Sequence, residues 1–253
     1  MIAKQVKIFG ERNTGTNALT DMIELNSHSR CLPSVAKELE PQLARKISSR
    51  FVSRRRREAI IDQIFSRHGP LESWKHRATY FPDAAVFDGT LVVFTVRHPA
   101  SWLLSFWKNP YHTFGRVPDT IEGFLQHEWR TAEREGLDRI LMRPLELYHA
   151  KLRSYLVLSE ELSALQIPQS FIRFEDLILR QEEVFRKLSP VLDRPNATFA
   201  PLLQSTKDDR KGLDFYIAYY GRELWRKELE GAYSKINENV DWGAVRKFDY
   251  LPL

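Results

Sequence analysis

The sequence contains a single cysteine, Cys31, so an internal disulfide is excluded. No cysteine and histidine residues stand at zinc-ligand spacing, and no metal site is expected. No apolar run reaches the roughly 18 to 20 residues that cross a bilayer. Lys4, Lys7, Glu11 and Arg12 crowd the N-terminus and leave no room for the apolar centre of a signal peptide. The expectation is a soluble, cytoplasmic protein with no membrane span, in which Asn196-Ala197-Thr198 matches the glycosylation sequon by coincidence. Internal repeats and low-complexity linkers are also missing, which excludes a solenoid or an array.

What is present argues for a packed core. Of 253 residues 43% are hydrophobic and 12% aromatic, too many for a disordered chain. The balance of 38 Lys plus Arg against 33 Asp plus Glu leaves a net charge of only +5, which matters only where it is focused on an anion. The arginine run 54–57 lies in the amphipathic stretch 42–67, flanked by acidic residues, and reads as a solvated helix face. No nucleic-acid-binding module accompanies it, so nucleic acid is not an expected partner.

Apolar runs alternate with helical patterns along the chain. Gln5 to Phe9 reads as a strand, and Thr16 to Leu25 as a helix with Ala18, Leu19, Met22 and Ile23 on one side. Leu91 to Val96 is a continuous apolar run, suited to a central parallel strand covered on both faces. A helix starting near Ala100 follows, with Pro99 in its first turn. Helical patterns recur at about 120–135 and 143–160, a third strand at 170–174, and helix again at 176–192. Short helices broken at Gly231 and Asp241 fill 222–247. The pattern predicts a three-layer α/β domain with a central parallel sheet, of the P-loop NTPase-like type, spanning 1–253. A helical insertion at about 30–80 and a helical C-terminal segment at about 220–253 complete it. Its ligand site should lie at the C-terminal ends of the strands.

Two strand ends carry anion-binding signals. In KIFGERNTGTNAL, residues 7–19, Gly10 and Gly15 have P-loop spacing, and the backbone N–H groups of about 12–17 can converge on an anion at the positive end of the following helix. Thr14 and Thr16 add hydroxyls and Arg12 a full charge. Thr16 and Asn17 occupy the positions where a nucleotide triphosphatase needs Lys and Ser or Thr, which argues against ATP hydrolysis. The second signal is RHPASWLLS, residues 97–105, where Arg97 ends a strand and Ser105 lies about two helical turns on. A bend at His98-Pro99 would bring both toward one phosphate.

Together these motifs resemble the sulfotransferases that use 3′-phosphoadenosine 5′-phosphosulfate (PAPS). In that family, a basic residue followed by Ser/Thr-Gly-Thr after the first strand holds the 5′-phosphosulfate. An Arg-x-Pro after a later strand, with Ser eight residues beyond the Arg, holds the 3′-phosphate. Thr14, Gly15 and Thr16 fit the first pattern, and Arg97, Pro99 and Ser105 the second. GERNTGTN, the WKH at 74–76, WLLSFWKNPYH at 102–112 and FIRFEDL at 171–177 look like a bacterial-type branch.

The resemblance implies a sulfotransferase acting without metal. PAPS would be held by Arg12, Asn13, Thr14, Gly15, Thr16, Asn17, Arg97 and Ser105, and adenosine 3′,5′-bisphosphate (PAP) would be the product. The acceptor would be a small molecule, a carbohydrate or a lipid, offering a hydroxyl or an amine. The chain departs from the family at Asn13, where many members carry Lys or Arg.

Sulfuryl transfer needs cations aimed at the leaving oxygen and a base for the acceptor proton. Arg12, Lys75 and the helix N-terminus are the candidate cations. His76 is the candidate base, with His68 and His112 as fallbacks. Glu175 and Asp176 read as helix N-terminal acids, and Trp102, Phe106 and Trp107 as core. Arg210-Lys211-Gly212 stands where the family often places a further basic loop. A degenerate P-loop kinase or triphosphatase, and a nucleotide-binding protein without turnover, are the alternatives.

Overall fold

A computed structural model of the chain describes residues 2–47, 52–111, 116–204 and 211–253. At its centre is a parallel four-stranded sheet in the order β2-β1-β3-β6, made by β1 (Gln5–Gly10), β2 (Arg30–Cys31), β3 (Thr90–Val96) and β6 (Gln169–Arg173). The register pairs Val6 with Leu91, Ile8 with Val93 and Phe9 with Phe94. Alternate residues therefore leave the sheet on opposite faces.

Helices cover both faces. Val6, Ile8, Leu91 and Val93 pack under Leu19, Met22 and Ile23 of α1 (Thr16–Asn26). Leu177 of α8 (Phe174–Leu179) and Val184 and Phe185 of α9 (Gln181–Leu188) complete that layer. On the other face Phe9, Val92 and Phe94 meet Tyr155, Leu158 and Leu162 of α7 (Pro144–Ala164). All seven residues of β3 are buried, Thr90 and Thr95 with the Val, Leu and Phe side chains, as a strand covered on both sides requires. The fold is three-layered α/β, as the alternation predicts.

A third cluster gathers α5 (Pro99–Lys108), α6 (Ile121–Gln126) and the C-terminal helices, among them α10 (Leu213–Gly221), α11 (Tyr233–Asn239) and α12 (Trp242–Val245). The segment expected as a helical insertion contributes β2 to the sheet before forming α2 (Ala36–Leu39), α3 (Pro41–Ile47) and α4 (Arg54–Ser66). The helix expected over 120–135 stops at Gln126. Beyond it Trp129 and Arg130 form β4, paired antiparallel with β5 (Leu141–Met142). The Trp129 ring lies edge-on to Phe106 at 4.9 Å and to Phe124 at 5.6 Å, and this aromatic packing outweighs the local helical preference.

Among the described residues no helix is long and apolar enough to cross a membrane.

Lys7 places a charged group inside the sheet. It is fully buried, and its ammonium donates to the carbonyls of Pro33 (3.2 Å) and Ser73 (2.6 Å). Burial lowers its pKa from 10.5 to about 7. Between these values the unfolded chain binds a proton that the folded chain does not, so this group makes stability rise with pH. Lys7→Met should flatten that rise in urea midpoints taken from about pH 7 to about pH 10. An unaltered slope would mean that the amine keeps its charge in the fold.

Candidate functional site

The site is built where β1 ends and α1 begins. Gly10 has no room for a side chain, because a Cβ would lie 1.8 Å from Thr95 Oγ1 and 2.7 Å from Thr14 Oγ1. The loop then turns through two left-handed residues, Asn13 (φ 65°) and Gly15 (φ 87°). Asn is among the few non-glycine residues that tolerate this region. The double turn presents the N-terminus of α1 to solvent. Among the described residues no acceptor takes the N–H groups of Gly15, Thr16, Asn17 or Ala18. Buried donors also go unmatched beside them, at Arg12 Nε and Asn13 Nδ2.

Residues 74–76 dock against the end of the same strand. Gly10 donates its N–H to the Lys75 carbonyl (2.9 Å), and the His76 Nδ1–H donates to the Gly10 carbonyl (2.6 Å). Because a carbonyl only accepts, this bond assigns the proton to Nδ1 and leaves Nε2 with its lone pair. Burial, with the Arg12 and Lys75 charges nearby, holds the His76 pKa well below 6.5. The Lys75 ammonium donates to Asn17 Oδ1 at the first turn of α1. Burial lowers its pKa from 10.5.

Arg12 is clamped by aromatic rings, its guanidinium 4.5 Å from the Tyr111 centroid and 5.1 Å from that of Trp74. The Trp102 indole N–H donates to the Arg12 carbonyl (2.9 Å) and anchors the loop to α5.

Beneath the loop lies an ion cluster that sequence reading missed. Lys151 of α7, fully buried, pairs with the carboxylates of Glu11 and Glu135. Glu11 also accepts from the Tyr111 hydroxyl (2.6 Å) and the Arg12 N–H (2.6 Å). The Trp74 ring takes Lys151 at 5.5 Å and Arg134 at 4.8 Å, besides Arg12. The available signal was a lysine set within the apolar stripe Tyr148, Leu152, Tyr155 and Leu158 of a helical pattern.

These elements enclose a cavity of about 510 Å³. Arg12, Asn13, Gly15, Thr16, Asn17 and His76 line its polar end, and Phe174, Leu177, Ile178, Leu213 and Tyr216 its apolar end. Lys75 borders an adjoining groove that shares Asn17.

Three expected ligand contacts need correction. The Thr14 hydroxyl faces inward, donating to the Glu11 carbonyl and bonded to Thr95 Oγ1 (2.7 Å), because the strand end needs that donor. Arg97 points toward the loop but is only 2% exposed. Its nitrogens donate to Asn13 O (2.7 Å), Ser101 Oγ (2.9 Å) and Tyr220 Oη (2.7 Å). Its hydroxyl partner is thus Ser101, one helical turn on, and Ser105 makes no bond to it. Neither Arg97 nor Ser105 lines the cavity.

Of the fallback bases, His68 lies just past α4 and its Nδ1–H donates to the Ile64 carbonyl of that helix, and His112 lies outside the described residues. Arg210 also lies outside them, while Lys211 stacks on Phe215 at 4.2 Å. Glu175 sits in the first turn of α8, accepting from the His98 N–H and the Tyr250 hydroxyl. Trp102 and Phe106 are core, and Trp107 packs against it.

No protein-family model matches the sequence, and no curated protein matches it. Among solved structures the chain is similar to the sulfotransferase domain from the Synechococcus PCC 7002 olefin synthase. The two are 13% identical, with a TM-score of 0.46 over 89% of this chain and 88% of that one.

Removing the ammonium beneath the loop leaves two buried carboxylates without a counter-charge, at a cost of about 3 to 5 kcal/mol. Lys151→Met should show this loss in chemical denaturation, and adding Glu135→Gln should recover part of it. A single variant as stable as the wild type would dismiss the cluster as the loop's support.

Proposed function

We propose that the chain is a sulfotransferase that takes the sulfuryl group of PAPS to an acceptor hydroxyl or amine and releases PAP. The observation that carries this reading is the set of four unanswered N–H groups at the start of α1. They share one cavity with the Arg12 charge and have no lysine at the P-loop position. The orphaned donors at Arg12 and Asn13 fit an anionic group there, and the apolar end of the cavity fits a purine.

PAPS supplies a neutral SO3 unit on a phosphate leaving group, with negative charge growing on the bridging oxygen. With no γ-phosphate and no catalytic magnesium to serve, the missing lysine and hydroxyl lose their purpose. The N–H groups of residues 15–18, the Thr16 hydroxyl and Arg12 would hold the 5′ end, and Arg12 would stabilise the growing charge. One well-placed donor contributes about 3 to 4 kcal/mol. The aromatic clamp fixes the Arg12 plane in advance, so little orientation is lost on binding.

Lys75 holds Asn17 and adds positive potential at the helix end. The His76 Nε2 lone pair would accept the acceptor's proton, with Nδ1–H tied to the strand. Arg97, buried behind the loop with only neutral hydrogen-bond partners among the described residues, would act on the donor through the Asn13 carbonyl that it supports.

Calorimetric titration tests the reading. Wild type should bind PAP more tightly than 5′-AMP or ATP–magnesium. Arg12→Ala should lose about 2 kcal/mol or more of PAP affinity, as when one partner of a buried charge pair is removed. Arg97→Met, which removes the bond to the Asn13 carbonyl, should weaken PAP and 5′-AMP alike. Tighter binding of ATP–magnesium would sink the proposal in favour of a P-loop kinase.

The pH dependence of labelled-sulfate transfer gives a second test. The His76 pKa is lowered, so kcat/KM should stay level through neutrality and fall only well below pH 6.5, as His76 gains a proton. His76→Asn should lower the rate about 100-fold or more and remove that acid limb.

A further inference from the structure

The sheet has an open edge that the nucleotide cavity does not use. β6 pairs with β3 on one side only. Val92 N–H donates to Pro168 O, so even-numbered residues of β6 face β3, and Gln169, Phe171 and Arg173 turn their backbone groups outward. Along this edge runs a cleft of about 720 Å³, floored by all five residues of β6 and walled by α9 and residues 247–249. It shares no lining residue with the nucleotide cavity.

Unmatched polar atoms mark the cleft. Gln169 Oε1 and Arg173 Nε are buried without hydrogen-bond partners, and the outward N–H groups of Gln169 and Phe171 have no acceptor among the described residues. The outward Phe171 carbonyl is capped by the Lys187 ammonium (3.0 Å). The charges are lopsided as well. Asp176, Glu183 and Asp249 are each paired with Arg173 or Arg180, whereas Lys187 and Lys247 meet no carboxylate among the described residues. Val184 and Phe248 supply apolar wall between these charges.

We propose that this edge is a docking site for an acidic, extended peptide segment of a partner protein, which adds a strand beside β6. The incoming strand's N–H would replace Lys187 on the Phe171 carbonyl, freeing the ammonium to meet a carboxylate on the same strand. Alternate apolar side chains would settle on Val184 and Phe248. Five residues of strand span about 17 Å, the reach of a short linear segment. Lys187 could instead only guard the edge against pairing, as lysines on edge strands do. The two roles predict opposite effects of removing it.

The probe is a capped peptide of alternating glutamate and valine, with a lysine–valine counterpart and a proline-interrupted acidic control, followed by fluorescence anisotropy and amide exchange. The acidic peptide alone should bind, more weakly as salt rises, and should slow exchange at the Gln169 and Phe171 amides. Lys187→Ala and Lys247→Ala should each weaken it by about two- to fivefold, the range of a single exposed charge pair. PAP affinity should be unchanged in both variants, so this test and that of the nucleotide site fail separately. Tighter binding in Lys187→Ala would establish the guard and overturn the docking site. Equal binding of the basic or proline-interrupted peptide, or protection confined to amides elsewhere, would overturn it too.

Discussion

The buried ion cluster of Lys151 with Glu11 and Glu135 is the contact on which the site's geometry depends. It joins the residue after β1, the segment before β5 and the middle of α7 at one point, with all three side chains buried. Such clusters are poor sources of net stability, since desolvating the ions costs about as much as their attraction returns. Their effect is positional. Glu11 holds the Arg12 N–H and the Tyr111 hydroxyl from one oxygen, so the loop backbone and one jaw of the Arg12 clamp are set by the same carboxylate.

A second consequence is electrostatic. Arg12, Lys75, the α1 N-terminus and Arg97 place positive potential around one loop, and the Glu11 carboxylate beneath it is matched by Lys151. His76 feels the same field, and together with burial this keeps its imidazole neutral. Arg97 adds a structural duty, since its bond to the Asn13 carbonyl supports a left-handed residue that the turn needs.

Much of this was legible in residue order. The apolar runs of β1 and β3 and the glycine spacing between β1 and α1 located the loop, and WKH at 74–76 pointed to the segment that docks beside it. Other parts were not legible. Counting helical turns pairs Ser105 with Arg97, but the guanidinium finds Ser101 first, a choice made by side-chain reach within one turn. Thr14 looked like a ligand donor because sequence cannot tell which side of a turn a hydroxyl faces. Helix α10 is not legible in residue order, because its aromatic run LDFYIAYY buries little beyond Tyr220 and carries scant amphipathic signal.

The sequence by itself determined the alternating α/β order, the glycine loop without a P-loop lysine and the candidate base, because strand and helix periodicity and turn chemistry act over a few neighbouring residues. Only the tertiary structure decided that Lys151 lies under Glu11, that Trp74 and Tyr111 grip Arg12, and that β6 is left with an open edge. These depend on which distant segments a packed core brings together, and burial, unlike local propensity, is a property of the whole chain.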